Sequence, residues 1–160
     1  QVLLKERFGL EPEVESLPIG SSLDDSAADA VLLIGDRGIL PVDGPFEFVW
    51  DLGQEWRTWT GLPFVFAMWI ARPMANLDSL ERLLTAARDE GTRHLREIAQ
   101  VESPKVGITE DDCVAYFCEN LRFHLGPRER EGLDKFSRLA TRYAHAPKGI
   151  QLAFHRHAPR

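Results

Sequence analysis

DLGQEWRTWTGLPFVFAMWIA, residues 51 to 71, joins a short helical pattern, a sharp stop and an unbroken apolar run. Asp51 is placed to cap a helix, and Leu52, Trp56 and Trp59, at i, i+4 and i+7, share one face. Gly61 ends that helix, since a residue without Cβ takes the left-handed conformation cheaply. Pro63 then makes resumption difficult. Phe64 to Ala71 reads as a buried strand, with Phe64 and Phe66 on one side and Val65 and Ala67 on the other. One of those faces is suited to line a pocket for a flat ring. A helix that stops and turns into a strand predicts an α/β protein.

The flanking sequence predicts more strands before this corner and more helices after it. AVLLIGD, Ala30 to Asp36, is a continuous apolar run closed by Gly-Asp and reads as a strand covered on both faces. A short strand is expected around Val14, and FEFVWD, Phe46 to Asp51, reads as a strand or extended arm. QVLLKERFGL at the start has the pattern of a helix end, with Gly9 as its stop. IGSSLDDSAADA is a loop with a helical turn capped by Ser21 or Ser22. Beyond Asn76 the spacing is helical: Leu77, Leu80, Leu83, Leu84 and Ala87 on one face, a break or bend at Gly91, then Leu95 and Ile98. Thr109 opens a helix that buries Val114, Phe117, Cys118 and Leu121. Pro127 starts another, with Leu133, Phe136, Leu139, Ala140 and Tyr143.

Composition narrows the classes of function. With 160 residues and 44% hydrophobic content the chain can build a core. The net charge is -6 and no Lys/Arg-rich block occurs, so nucleic acid is not an expected partner. No run of about 18 apolar residues is present, so no membrane span is expected. Cys113 and Cys118 do not form a CxxC pair and read as two buried thiols of a reduced protein. With no signal-peptide pattern, a cytoplasmic location is expected.

Two corners stand out as candidate ligand-lining positions. At Gly35 and Asp36 a strand end meets a turn, where backbone N–H groups attract anions; the alternative for Asp36 is a simple helix cap. At Gly61, Pro63 and Phe64 the helix stops beside aromatic side chains; the alternative is a glycine stop followed by core packing. Trp56 and Trp59 read as packing residues. His94, His145, His155 and His157 read as solvated, and His124 suits a helix C-terminus. No P-loop, GxSxG, HExxH or Ser/His/Asp pattern occurs, and no metal site is expected.

Three blocks carry a family resemblance: DAVLLIGDRGI, the tryptophan-rich block at 51 to 72, and LGPREREGLDKF. In order and spacing they resemble the MqnA family, the chorismate dehydratases of the futalosine route to menaquinone. The Phe-Val-Phe-Ala after Gly-Leu-Pro is closer to the dehydratase than to its sister enzyme, which splits cyclic dehypoxanthinyl futalosine. The resemblance implies a periplasmic-binding-protein-like fold of type II, two α/β lobes around a cleft. Residues 1–62 would finish the second lobe. Residues 63–160 would supply the return strand and the helices completing the first, so the tryptophan-rich corner would be the return crossing. It also implies that the chain corresponds to the C-terminal part of the family's length, and that the groups handling the dehydration lie in the N-terminal part. The substrate would be chorismate and no cofactor would be needed. Gly35, Asp36, Gly61, Pro63 and Phe64 would line the substrate, with no catalytic base assigned. The rival reading is a small-anion binding module of the same fold that performs no chemistry.

Overall fold

The computed structural model describes residues 1–39, 44, 46–149 and 152–155. Two compact units divide the chain, Gln1–Phe48 and Val49–Arg160.

The first unit opens with α1, Val2–Phe8, and Gly9 ends it at φ 69°. Val2 is its buried residue, and Lys5 pairs with Glu11 beyond the stop. A 3-10 turn covers Leu23–Asp25, where the Ser22 N–H donates to the Asp25 carboxylate over 2.9 Å. A second covers Gly35–Gly38.

The second unit holds five α-helices among the described residues. Asp51 caps α2, Leu52–Thr60, by accepting from the N–H groups of Gly53 and Gln54 at 2.8 and 3.0 Å. Asn76 caps α3, Leu77–Arg93, by accepting from Ser79. The expected break at Gly91 comes instead at His94, which closes α3 and opens α4, Leu95–Val106. Pro104 cannot donate to the preceding turn, and α4 ends shortly after it at Gly107, φ 76°. Thr109 caps α5, Glu110–Ala115, accepting from the Asp112 N–H at 3.1 Å. α4 and α5 pack together, burying Ala99, Ser103 and Cys113. Across their starts Arg96 pairs with Glu110 and Asp111, and their carboxylates push its guanidinium pKa further up. Pro127 takes the first position of α6, Pro127–Arg142, where its missing N–H costs nothing.

The expected two-lobe α/β architecture is not the one found. Among the described residues no β-strand forms: the chain is helices, turns and unpaired segments. A strand exists only when its N–H and C=O groups meet a ladder partner, and apolar patterning does not supply one. The runs around Val14, from 30 to 34, from 46 to 50 and from 64 to 71 form no β-ladder among the described residues. Ile34 has extended backbone, φ -137° and ψ 161°, so the local conformation was legible even though the pairing was not. The side chains expected to be buried there are exposed: Phe66 at 73%, Trp69 at 82% and Ile70 at 82%.

A second correction concerns the thiols. Both are free, but Cys113 is buried and Cys118 exposed. After Ala115 the helix widens into a π-helical turn, Tyr116–Asn120, closed by the Leu121 N–H donating five residues back to Tyr116. The extra residue rotates the succeeding side chains off the α-helical face, so Cys118 leaves the apolar side. Burial, followed by the charge of Glu102, raises the Cys113 pKa.

Candidate functional site, the Gly61–Phe64 corner

Three of the five expected lining residues, Gly61, Pro63 and Phe64, come together at the end of α2 in the second unit. Gly61 stands at φ 71° and its N–H donates to the Arg57 carbonyl at 2.8 Å. Thr60 fastens the exit. Its hydroxyl donates to the Trp56 carbonyl at 2.8 Å and accepts from the Leu62 N–H at 3.1 Å. A single side chain thus satisfies both a carbonyl of the last turn and the first amide beyond the stop.

Aromatic packing fixes the corner from beneath. Trp56 is 2% exposed. Its ring stands edge-on to Trp59 and Phe64, both at 5.5 Å, and to Phe136 at 5.8 Å. Phe64 meets Phe66 at 4.9 Å and Phe136 at 5.0 Å. Each contact lies in the edge-to-face range that adds to simple burial. Among the described residues the Trp56 indole N–H has no hydrogen-bond acceptor. Phe64 and Phe66 meet although the expected strand does not form, and Phe66 leans over Gly53, where an added Cβ would lie 2.9 Å from its ring. Trp56 and Trp59 pack the short helix as expected, whereas Trp69 is largely exposed.

Helix α6 supplies contacts that patterning around the corner alone did not reveal. Arg128 donates from Nη2 to the Gly61 carbonyl. Gly132 faces the Pro63 carbonyl, which a Cβ would approach to 2.2 Å. Lys135 places its Nζ 5.2 Å from the Trp59 ring centre, a cation–π distance. The available signal was the segment PREREGLDKF itself, in which these residues recur at helical spacing.

Gly35 and Asp36 lie in the first unit, in the second 3-10 turn. Gly35 has φ 62°, a conformation that favours glycine. Asp36 is exposed and does not cap the turn, which begins after Ile34; its carbonyl accepts from the Ile39 N–H at 3.2 Å. Arg37 anchors the turn by donating to the Ser21 carbonyl at 3.2 Å.

The histidine expectations hold only in part, and His157 lies outside the described residues. His155, read as solvated, has Nε2 3.0 Å from Asp78 and 3.3 Å from Glu81, tying the C-terminal segment to α3. His94 Nδ1 lies 2.9 Å from the Glu90 carbonyl oxygen. No cluster of three metal-ligating side chains occurs among the described residues. No described helix is long and apolar enough to cross a membrane. A shallow depression at the end of α6, lined by Thr141, His145, Pro147 and Lys148 among others, contains none of the five expected lining residues.

The corner is thus a glycine-stopped helix packed by aromatic rings and by a second helix, with the Arg128 and Lys135 side chains beside it. A family model described as menaquinone biosynthesis matches residues 1–142, and the chain belongs to that family. It is 36% identical over 154 residues to a chorismate dehydratase of Thermus thermophilus. The match covers 86% of this chain and 56% of that relative, so the chain spans about half of the relative's length.

Proposed function

We propose that the protein carrying this chain is a chorismate dehydratase, a hydro-lyase that converts chorismate to 3-[(1-carboxyvinyl)oxy]benzoate and water in menaquinone biosynthesis. The family match over residues 1–142 carries this reading, and the 36% identity to the Thermus enzyme supports it. The chemistry is self-contained. A base removes the ring proton beside the enolpyruvyl ether, the ring hydroxyl departs with a proton as water, and the ring becomes aromatic. Atoms balance with no redox partner. The protein has to hold a dicarboxylate, place a base at the C–H and assist the departing hydroxide.

Within this proposal the chain contributes substrate-holding groups. Gly61, Pro63 and Phe64 offer a preformed surface for the ring, beside the cations of Arg128 and Lys135. Taken by itself, the turn at Gly35 and Asp36 in the first unit offers backbone N–H groups to an anion. A preformed corner loses little freedom when substrate arrives, which favours it as a binding element. A cytoplasmic setting fits two free thiols.

Phe64→Ala removes a ring packed against Trp56 and Phe136, and Asp36→Ala removes the exposed carboxylate of the Gly35–Gly38 turn. Each is expected to lower kcat/KM for chorismate by about tenfold or more, on the scale of losing one positioned contact. Wild-type kcat/KM in both variants would remove these residues from the site. Binding of chorismate without turnover would identify an anion-binding protein in place of an enzyme.

A further inference from the structure

Three residues of α6 touch the Gly61–Phe64 corner, one on each of three successive turns. Arg128 donates to the carbonyl of Gly61. Gly132 leaves room for the carbonyl of Pro63, which any side chain there would strike. Phe136 lies 5.0 Å from the ring of Phe64 and 5.8 Å from that of Trp56. Their spacing, i, i+4 and i+8, sets them along one face of the helix. Each meets a different residue of the corner, in the order Gly61, Pro63, Phe64, so helix and corner run in register.

The contact at Gly61 is distinctive chemically. A helix's last carbonyls have no partner within the helix, and the residue after a glycine stop is the point where the chain can swing. A guanidinium is always charged and presents several fixed donors, so it grips a carbonyl in one orientation. Arg128 is exposed, and its contact spans 67 positions of sequence. An exposed arginine held to a distant backbone carbonyl orders the loop more than it deepens the core.

From this geometry we infer that Arg128 is a positioning residue for substrate, holding the Gly61–Phe64 corner in its ligand-receiving conformation through the Gly61 carbonyl. Gly132 completes the seat by admitting Pro63. This deepens the dehydratase reading and rests on it. Arg128 acts through the corner, so its loss weakens the holding of chorismate more than the chemical step.

The test uses the complete protein carrying this chain, with chorismate turnover measured for wild type, Arg128→Ala, Arg128→Lys and Arg138→Ala. Arg138 is exposed on the same helix and serves as the control. Arg128→Ala is expected to raise KM about tenfold with kcat changed little, the signature of lost substrate holding. Arg128→Lys, which keeps a cationic donor but not the fixed fork, should restore part of that loss, and Arg138→Ala should match wild type. Amide hydrogen exchange at Leu62, whose N–H is held by Thr60, should quicken in Arg128→Ala alone. Wild-type KM together with wild-type exchange in Arg128→Ala overturns the positioning role and leaves the dehydratase reading standing. Equal losses in Arg128→Ala and Arg128→Lys, with unchanged exchange at Leu62, overturn it too. A wild-type protein that leaves chorismate intact ends the dehydratase reading itself, and the positioning role with it.

Discussion

At the scale of single residues, the two cysteines show how one extra residue in a helical turn reverses an expectation. Cys113 packs between α4 and α5, while Cys118 has been carried outward by the π-helical turn. Thiolates are the reactive form, and burial raises the pKa of Cys113. Alkylation by iodoacetamide at about pH 8 should therefore mark Cys118 first, with Cys113 following only as the α4–α5 contact opens. Mass mapping of partially labelled protein checks this, and equal labelling of the two would contradict the burial. The sign for stability follows from the same shift. A thiol whose pKa is raised by folding contributes its full stability below the unfolded value, about 8.5, and loses it as pH climbs toward the folded value. Alkaline conditions should destabilise the α4–α5 contact.

Among elements, the contact between α6 and the corner sets two glycines apart. Replacing a helical glycine by alanine ordinarily gains about 1 kcal/mol. At Gly132 the new Cβ would sit 2.2 Å from the Pro63 carbonyl, a backbone atom that cannot rotate away. Overpacking of that kind costs about 1 to 3 kcal/mol, so the clash should win. At Gly53 the obstacle is the tip of the largely exposed Phe66 ring, 2.9 Å away, which can swing aside. Gly132→Ala should lower the urea midpoint, and Gly53→Ala should leave it unchanged or raise it slightly. The reverse order would show that α6 does not press on the corner. Helices were legible in the sequence because their determinants are local. Asp51, Thr109 and Pro127 start helices where patterning placed them, and Gly9 and Gly61 end them. Strands were not, because pairing is not local. The run from 64 to 71 has the apolar content of a buried strand, yet nothing in its own residues names a ladder partner. Of the candidate site, the glycine stop and the aromatic packing were legible. The clamp from α6 was not, since it joins Arg128 to Gly61 across a separation that no local pattern spans.

For the whole molecule, family membership bears on the claim more heavily than architecture. The match runs over residues 1–142, whereas the α/β two-lobe arrangement expected from the resemblance is absent among the described residues. Function therefore has to be decided by chemistry. Dehydration of chorismate leaves a signature that binding alone cannot imitate: the product is lighter by one water and its ring is aromatic. The decisive measurement incubates the complete protein with chorismate and follows the mixture by mass spectrometry against a heat-inactivated control. Conversion to an enolpyruvyl-oxy benzoate at a rate proportional to enzyme is the expected result. Chorismate that persists intact, even when it raises the melting temperature of the protein by binding to it, would contradict the dehydratase assignment.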